Sequence, residues 1–221
     1  DINSLSVVSS TLINMGAVSL YGNATTDAII NNNSFSGCGV TTLNQYVLAD
    51  GDSWILSGQI ITAAATLTNC LFDRITSASH VLAATPAEAA LISNSEFISD
   101  GTGNGIEITG TAADITLTGV DFTGYSTTVD ANKPIFVNIA TGSMTINIDG
   151  GSGVTASTHV RTAGCIITVA ADITITVTNM KDNTEVRILE TSTLDDTPPY
   201  AAPTELAGIE NATAGTTDAR T

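Results

Sequence analysis

Residues 115–124, ITLTGVDFTG, decide the fold, because the chain writes this stretch several times over. Residues 91–99 read LISNSEFIS, residues 66–73 read TLTNCLFD and residues 29–37 read IINNNSFSG. Each copy sets an aliphatic residue, a polar one, a small or amide residue, two variable positions and then phenylalanine. Phe72, Phe97 and Phe122 fall 25 residues apart (97 − 72, 122 − 97), and four of the five phenylalanines, Phe35 included, take this one position. Random placement does not produce that spacing.

Working outward, each period holds about three short β-prone runs separated by turns. After Phe97 these are a Gly-rich turn (99–105), a strand (106–108), a second turn (110–114) and the strand at 115–117. A loop at 125–134 leads to 135–139, and residues 144–150 replay the motif with Gly151 where Phe stood. Runs at 160–163, 166–169 and 173–178 follow. Upstream, residues 5–8, 11–14 and 17–21 read as short strands. Phe35 and Phe72 are 37 residues apart, 12 more than one period, which fits either one large rung with a loop or two short rungs.

A unit of about 25 residues with three short strands buries its apolar side by coiling, so that each turn stacks on the last at roughly 4.8 Å. Equivalent positions then lie above one another. Phe35, Phe72, Phe97 and Phe122 become an interior aromatic column, each worth roughly 1.5–3 kcal/mol of burial. Leu67, Ile92, Leu117 and Ile146 form an aliphatic column beside it. Asn32, Asn69, Asn94 and Gly119 form a turn ladder in which the amides can bond to one another. The predicted fold is all-β, a right-handed parallel β-helix over 1–170, right-handedness being the rule for parallel crossovers. A β-sandwich is the rival, but it requires no fixed period. Residues 171–221 read as a β-hairpin (strands 172–180 and 185–189, turn 181–184), a proline-rich stretch at 193–203 and a last strand at 205–211. They form a cap or a partial second β domain.

Composition agrees. Only 13% of residues are charged, yet 22 acids face 6 Lys+Arg, a formal charge of −16. Few charges and ample apolar content argue against disorder, and abundant β-branched residues with Gly and Asn favour strands and turns over helices. So negative a surface repels phosphate backbones and anionic lipid, so neither nucleic-acid binding nor membrane insertion is expected. No apolar run is long enough to span a bilayer. Cys38, Cys70 and Cys165 lack metal-type pairing, and Cys38 and Cys70, at or near motif positions, read as small buried apolar residues. The sequence reads as a fragment of something longer.

The repeats resemble the right-handed parallel β-helix proteins, whose rungs carry an aliphatic-x-Asn-x-x-Phe pattern. Asn69/Phe72 and Asn94/Phe97 match it, while Gly119 departs from it before Phe122. This resemblance covers roughly residues 25–170. The tail, ITITVTNMKDNTEVRIL followed by TELAGIEN, is similar to a short β module that recurs in bacteriophage structural proteins. The resemblance implies a non-enzymatic virion component at the particle surface, a spike, fibre or capsid decoration, assembled as a homotrimer. Its partners would be other virion structural proteins and a cell-surface glycan of the host. The alternatives are a carbohydrate-active β-helix such as a phage depolymerase, and a bacterial surface adhesin.

Candidates for chemistry are few, and no catalytic residue, cofactor or metal is expected. A uronate lyase needs Arg or Lys against developing negative charge, but the six cations do not recur at one position of the repeat. A glycosidase needs two carboxylates set apart by its mechanism. Asp73, Glu96 and Asp121 flank the Phe positions and can approach along one face, although residues beside an inward Phe point to solvent. Asp195-Asp196 reads as a solvated loop. His80 and His159 lack partners at metal-like spacing and read as surface residues. Gly101, Gly103 and Gly105 read as a corner, not a phosphate loop. Asp100, Asn104, Asp130 and Asp149 offer oxygen ligands for Ca²⁺ without a calcium-coil repeat. Thr66/Thr68, Thr116/Thr118 and Thr174/Thr176/Thr178 raise a flat hydroxyl array of ice-binding type. Trp54, Tyr46 and Tyr21 raise a sugar-stacking platform.

Overall fold

The computed structural model describes residues 5–23, 27–75, 79–154 and 159–171, and the strand backbone of 175–177, 184–190, 204–212 and 218–220. The chain divides into two compact units, Asp1–Asp172 and Ile173–Thr221.

In the first unit, runs of two to seven residues alternate inward apolar and outward polar side chains, and successive runs pair from turn to turn. The first turn is β1 (Ser6–Val8), β2 (Thr11–Ile13) and β3 (Val18–Leu20). The second is β4 (Ala28–Asn31), β5 (Ser34–Ser36) and β6 (Thr41–Leu43), the third β7 (Val47–Asp50), β8 (Ser53–Ile55) and β9 (Ile60–Thr62). The fourth is β10 (Thr66–Thr68), β11 (Leu71–Asp73) and β12 (His80–Ala84), followed by a four-residue helix, α1 (Pro86–Ala89). The fifth is β13 (Ile92–Ser93), β14 (Glu96–Ile98) and β15 (Asn104–Ile108), the sixth β16 (Ile115–Thr118), β17 (Asp121–Thr123) and β18 (Ile135–Val137). The last comprises β19 (Ser143–Asp149) and β20 (Val160–Thr162), with β21 (Ile166–Ala171) stacked beyond β19. All pairings in this unit are parallel and build three sheets of eight, six and seven strands. The molecule is a parallel β-solenoid of about seven turns.

The interior follows the repeat. Phe35, Trp54, Phe72, Phe97 and Phe122 stack in one column, with successive ring centroids 5.0, 5.3, 4.6 and 5.2 Å apart and interplanar angles of 5°, 10°, 23° and 17°. Trp54 takes the Phe position of an extra turn, so the 37-residue interval is two short rungs (54 − 35 = 19, 72 − 54 = 18). Tyr125 closes the column edge-on against Phe122. The aliphatic column runs Val7, Ile30, Ala49, Leu67, Ile92, Leu117 and then Ile148. Ile146 is fully buried, but it lies in line with Ile115 in the neighbouring column. Ile148 follows Leu117 by 31 residues (148 − 117), six more than one 25-residue period and two beyond Ile146. For the same reason Gly153 stands in line with Phe122, where the sequence suggested Gly151; the Asp121–Ser152 bridge sets that register.

The turn ladder exists as a column of backbone conformation. Between the first and second sheets, Ser9, Asn32, Gly51, Asn69, Asn94, Gly119 and Gly150 all have φ between 47° and 69°. Asn and Gly are the residues that enter this left-handed region at least cost. The N–H of each of the first six still donates to a carbonyl in the next turn, so the corner continues the ladder. The side chains do not form the expected amide ladder. Asn32, Asn69 and Asn94 are exposed, Gly51 interrupts them, and Asn69 Nδ2 donates instead to Asp50 Oδ1 at 2.7 Å.

Helix α1 was not legible as a strand-forming rung. Thr85 caps it and Glu88 returns the bond, a capping box with Pro86 in the first turn. Among the described residues, no helix is long and apolar enough to cross a membrane.

In the second unit β22 (Ile175–Val177) pairs antiparallel with β25 (Asp218–Arg220), and β23 (Thr184–Glu190) with β24 (Thr204–Ala212). The expected hairpin partner of β23, the 172–180 run, lies outside the described residues except for 175–177. Residues 178–183 and 191–203, including most of the expected turn, the prolines and Asp195-Asp196, lie outside the described residues.

Candidate functional site

With the interior given over to packing, chemistry is confined to outward positions. Glu96 and Asp121 are register partners on the second sheet, whereas Asp73 follows Phe72 and aligns with Ile98 and Thr123. Asp73 is held by Arg74 at 2.8 Å, and Asp121 Oδ1 accepts from Ser152 Oγ at 2.6 Å. The three carboxylates therefore do not form one column. The threonine array is also broken. Thr66 and Thr116 are separated by the turn carrying Leu91, and Thr68 and Thr118 by Ser93. Thr174 and Thr178 lie outside the described residues, and Thr176 belongs to the second unit. Trp54 is fully buried, so it cannot join Tyr21 and Tyr46 in a sugar platform. The calcium candidates disperse: Asp100 bonds Thr102, Asp130 pairs with Lys133, Asn104 is buried, and Asp149 lies on the first sheet. No metal-holding group of His, Cys, Asp and Glu is present among the described residues.

The cysteines are free and buried. Burial pushes the Cys70 thiol up to about 12, which makes it an inert packing group.

One cleft does gather chemistry. It lies on the third sheet, has a volume of about 450 Å³ and is lined by His80, Thr102, Asn104, Glu107, Asn132, Phe136 and Arg161 among others. Three parallel pairings build it. Ala83, Glu107, Phe136 and Arg161 are successive outward residues of β12, β15, β18 and β20. The loop after Gly124, with its short 3-10 turn Asp130–Asn132, forms the rim. That loop is fastened by Asn104 Nδ2, which donates to Lys133 O at 2.6 Å, and by Gly103 N, which donates to Asn132 Oδ1 at 3.1 Å.

The charges in the cleft are arranged unequally. His80 Nδ1 sits 2.9 Å from Glu107 Oε2, while Asn138 Nδ2 donates to Glu107 Oε1 at 2.7 Å, so both carboxylate oxygens are engaged. Gln59 meets the other imidazole nitrogen of His80. Lys133 pairs with Asp130 at 2.7 Å, and this hydrogen bond, then the Lys133 charge, holds the Asp130 carboxyl below its ordinary value. Arg161 differs. Its Cζ lies 4.0 Å from the centre of the Phe136 ring, and among the described residues no carboxylate closes an ion pair on it. A cation over an aromatic face is held in place without losing its N–H donors.

Sequence reasoning missed this cluster and placed His80 on a plain surface. Glu107, Phe136 and Arg161 are 29 and 25 residues apart, so no constant period aligns them. Only the 125–134 insertion, read as part of the sixth turn, would have revealed the column.

A second polar feature is interior. At the residue after four successive left-handed corners, Asn33, Asp52, Cys70 and Ser95 are buried. Asp52 Oδ1 accepts from Asn33 N and Nδ2, each at 2.8 Å, and Ser95 Oγ accepts from Cys70 N at 3.0 Å. Asp52 Oδ2 has no partner, and burial raises the carboxyl above its ordinary value. This column satisfies backbone groups at the corners.

Compared with protein-family models, with curated proteins and with solved structures, the chain gives no match, so its function is argued from the solenoid and this cleft.

Proposed function

We propose that the chain is a non-enzymatic structural segment of a virus or phage particle, a right-handed parallel β-helical spike, fibre or decoration that carries a lateral face for assembly or host attachment. The observation that carries this reading is the unbroken stack of about seven turns around an aromatic column. Such a body is stiff because every turn is hydrogen-bonded to its neighbours, and its outward residues are free to serve contacts. The acidic surface keeps a repetitive β protein soluble, and it suits a virion-surface location with other virion proteins as partners. Trimeric assembly, with the second unit as a terminal β cap or partial domain, belongs to the same proposal. Mass spectrometry of purified particles tests it, and absence of the chain from them refutes it. Light scattering in solution tests the trimer; a clean monomer removes it.

A second reading has its own observation. The cleft gathers His80 of the fourth turn, Glu107 of the fifth and Arg161 of the last, an imidazole, a carboxylate and a cation within one concavity. That set supports a carbohydrate-active β-helix, and new reducing ends or unsaturated sugars after incubation with host polysaccharide would establish it over the structural reading. A bacterial surface adhesin is separated from both by the same particle proteomics.

A further inference from the structure

We infer that the third-sheet cleft is a binding site for a carboxylate-bearing sugar, with Arg161 anchoring the carboxylate. The inference rests on the geometry of the cleft and not on the virion assignment, so either can fail alone.

Arg161 supplies the specificity. Its guanidinium carbon lies over the Phe136 ring, 4.0 Å from the centre, a contact that anchors the cation without consuming its N–H donors. A planar guanidinium edge matches the two oxygens of a carboxylate, and such charge-assisted pairs are about twice as strong as neutral hydrogen bonds. Every other charged group at the cleft is already matched: Glu107 by His80 and Asn138, Lys133 by Asp130. In a chain of formal charge −16, a half-buried cation in a cavity that is touched by no carboxylate among the described residues, with the rim carboxylate of Asp130 only in electrostatic reach, is the exception. It marks where an external anion is accommodated.

The remainder of the lining selects a hydroxylated ligand. Asn132, Thr102 and Ser79 present amide and hydroxyl groups at the wall, beside His80 and Glu107. Phe136 is the one aromatic group there, and Arg161 covers one of its faces. An acidic peptide would need an apolar pocket for a neighbouring side chain, as interface anchors do, and this lining offers little for one. A cavity of about 450 Å³ is within the range of small-molecule sites. A sugar acid matches all three features: one carboxylate, several hydroxyls and modest size.

The test is titration of the 221-residue chain with D-glucuronate, D-glucose and acetate, followed by amide chemical shifts. Glucuronate is expected to shift residues around 80, 102–107, 132–138 and 161, with affinity at least about tenfold above that of glucose or acetate. Arg161→Gln should lose at least about tenfold for glucuronate while the chain stays folded by far-UV circular dichroism, and Arg161→Lys should recover part of the loss, since it keeps charge without the fork. Equal binding of glucose shows a neutral-sugar site and overturns the proposal. Equal binding of acetate shows a plain anion site and also overturns it. So do full binding by Arg161→Gln, shifts confined to other faces, or no binding by any of the three.

Discussion

Replacing Phe97 by Ala is the sharpest test of how the solenoid is held together. Phe97 is fully buried in the middle of the column, 4.6 Å from Phe72 and 5.2 Å from Phe122 by ring centroids. Truncating a buried phenylalanine costs about 3–5 kcal/mol, from lost transfer free energy and the cavity left behind. The two stacks, worth about 0.5–1.5 kcal/mol each, place this site at the upper end of that range. Against a domain stability of about 5–15 kcal/mol, the loss is a large fraction of the total. Urea unfolding would be followed by far-UV circular dichroism and by emission from Trp54, the only tryptophan. Trp54 is stacked between Phe35 and Phe72, two places from the mutation, so it reports whether damage at the fifth turn reaches the third. Both probes should shift together by the full amount, because neighbouring turns are coupled through shared ladders. Phe136→Ala, on the outward face, is the control and should cost about 1 kcal/mol, the worth of one partly exposed cation–π contact. A loss below about 1 kcal/mol for Phe97→Ala, or parity with the control, would show that the column is not what stabilises the coil.

Three further substitutions probe separate features. Trp54→Phe completes an all-phenylalanine column and removes a buried indole N–H that has no partner; stability by urea titration should change by less than about 1.5 kcal/mol, and a loss above about 3 kcal/mol would refute it. Gly119→Ala forces a side chain into a residue at φ 63° and places its Cβ 2.3 Å from Asn94 Oδ1; the expected cost is about 1–2 kcal/mol or more from the backbone alone. The cost should fall when Asn94→Gly removes that oxygen, and a double-mutant cycle showing no coupling would contradict the contact. Asp52→Asn tests the buried carboxyl, whose folded pKa is raised by burial. A raised carboxyl pKa contributes stability that is present below the unfolded value, near pH 4, and lost as pH rises through the folded value. The stability of the parent relative to Asp52→Asn should therefore fall from pH 4 towards pH 7, and a flat difference would remove the inference.

The inward half of the molecule was legible in the sequence because each inward position answers to one constraint. Phe72, Phe97 and Phe122 must stack, so the period is written in the most conspicuous side chain available. Asn69, Asn94 and Gly119 must enter the left-handed region, so two residue types alternate there without regard to side-chain bonding. The same logic accounts for what was misplaced. Trp54 fulfils the Phe role with a different letter after a turn of 19 residues instead of 25, and so the pattern alone does not separate two short rungs from one long one. Ile146 and Ile148 are both apolar and alternate in phase, so pattern alone could not say which of them continues Leu117. Only the hydrogen-bond register separates them.

The outward half answers to a different rule, and this is why the cleft stayed hidden. Ala83, Glu107, Phe136 and Arg161 form one column, yet they share no size, charge or polarity, because a solvent-facing position in a solenoid need not repeat. What joins them is turn length. The 125–134 segment lengthens the sixth turn, raises a rim that Asn104 and Gly103 fasten from the turn before, and so converts a flat strand face into a concavity. A site in such a fold is therefore encoded by a departure from the period, and the departure is what to look for. Here the longest insertion between repeats borders the one guanidinium among the described side chains that has an aromatic support and no carboxylate in ion-pair contact. The regular turns make the scaffold, and the irregular one makes the place where something can bind.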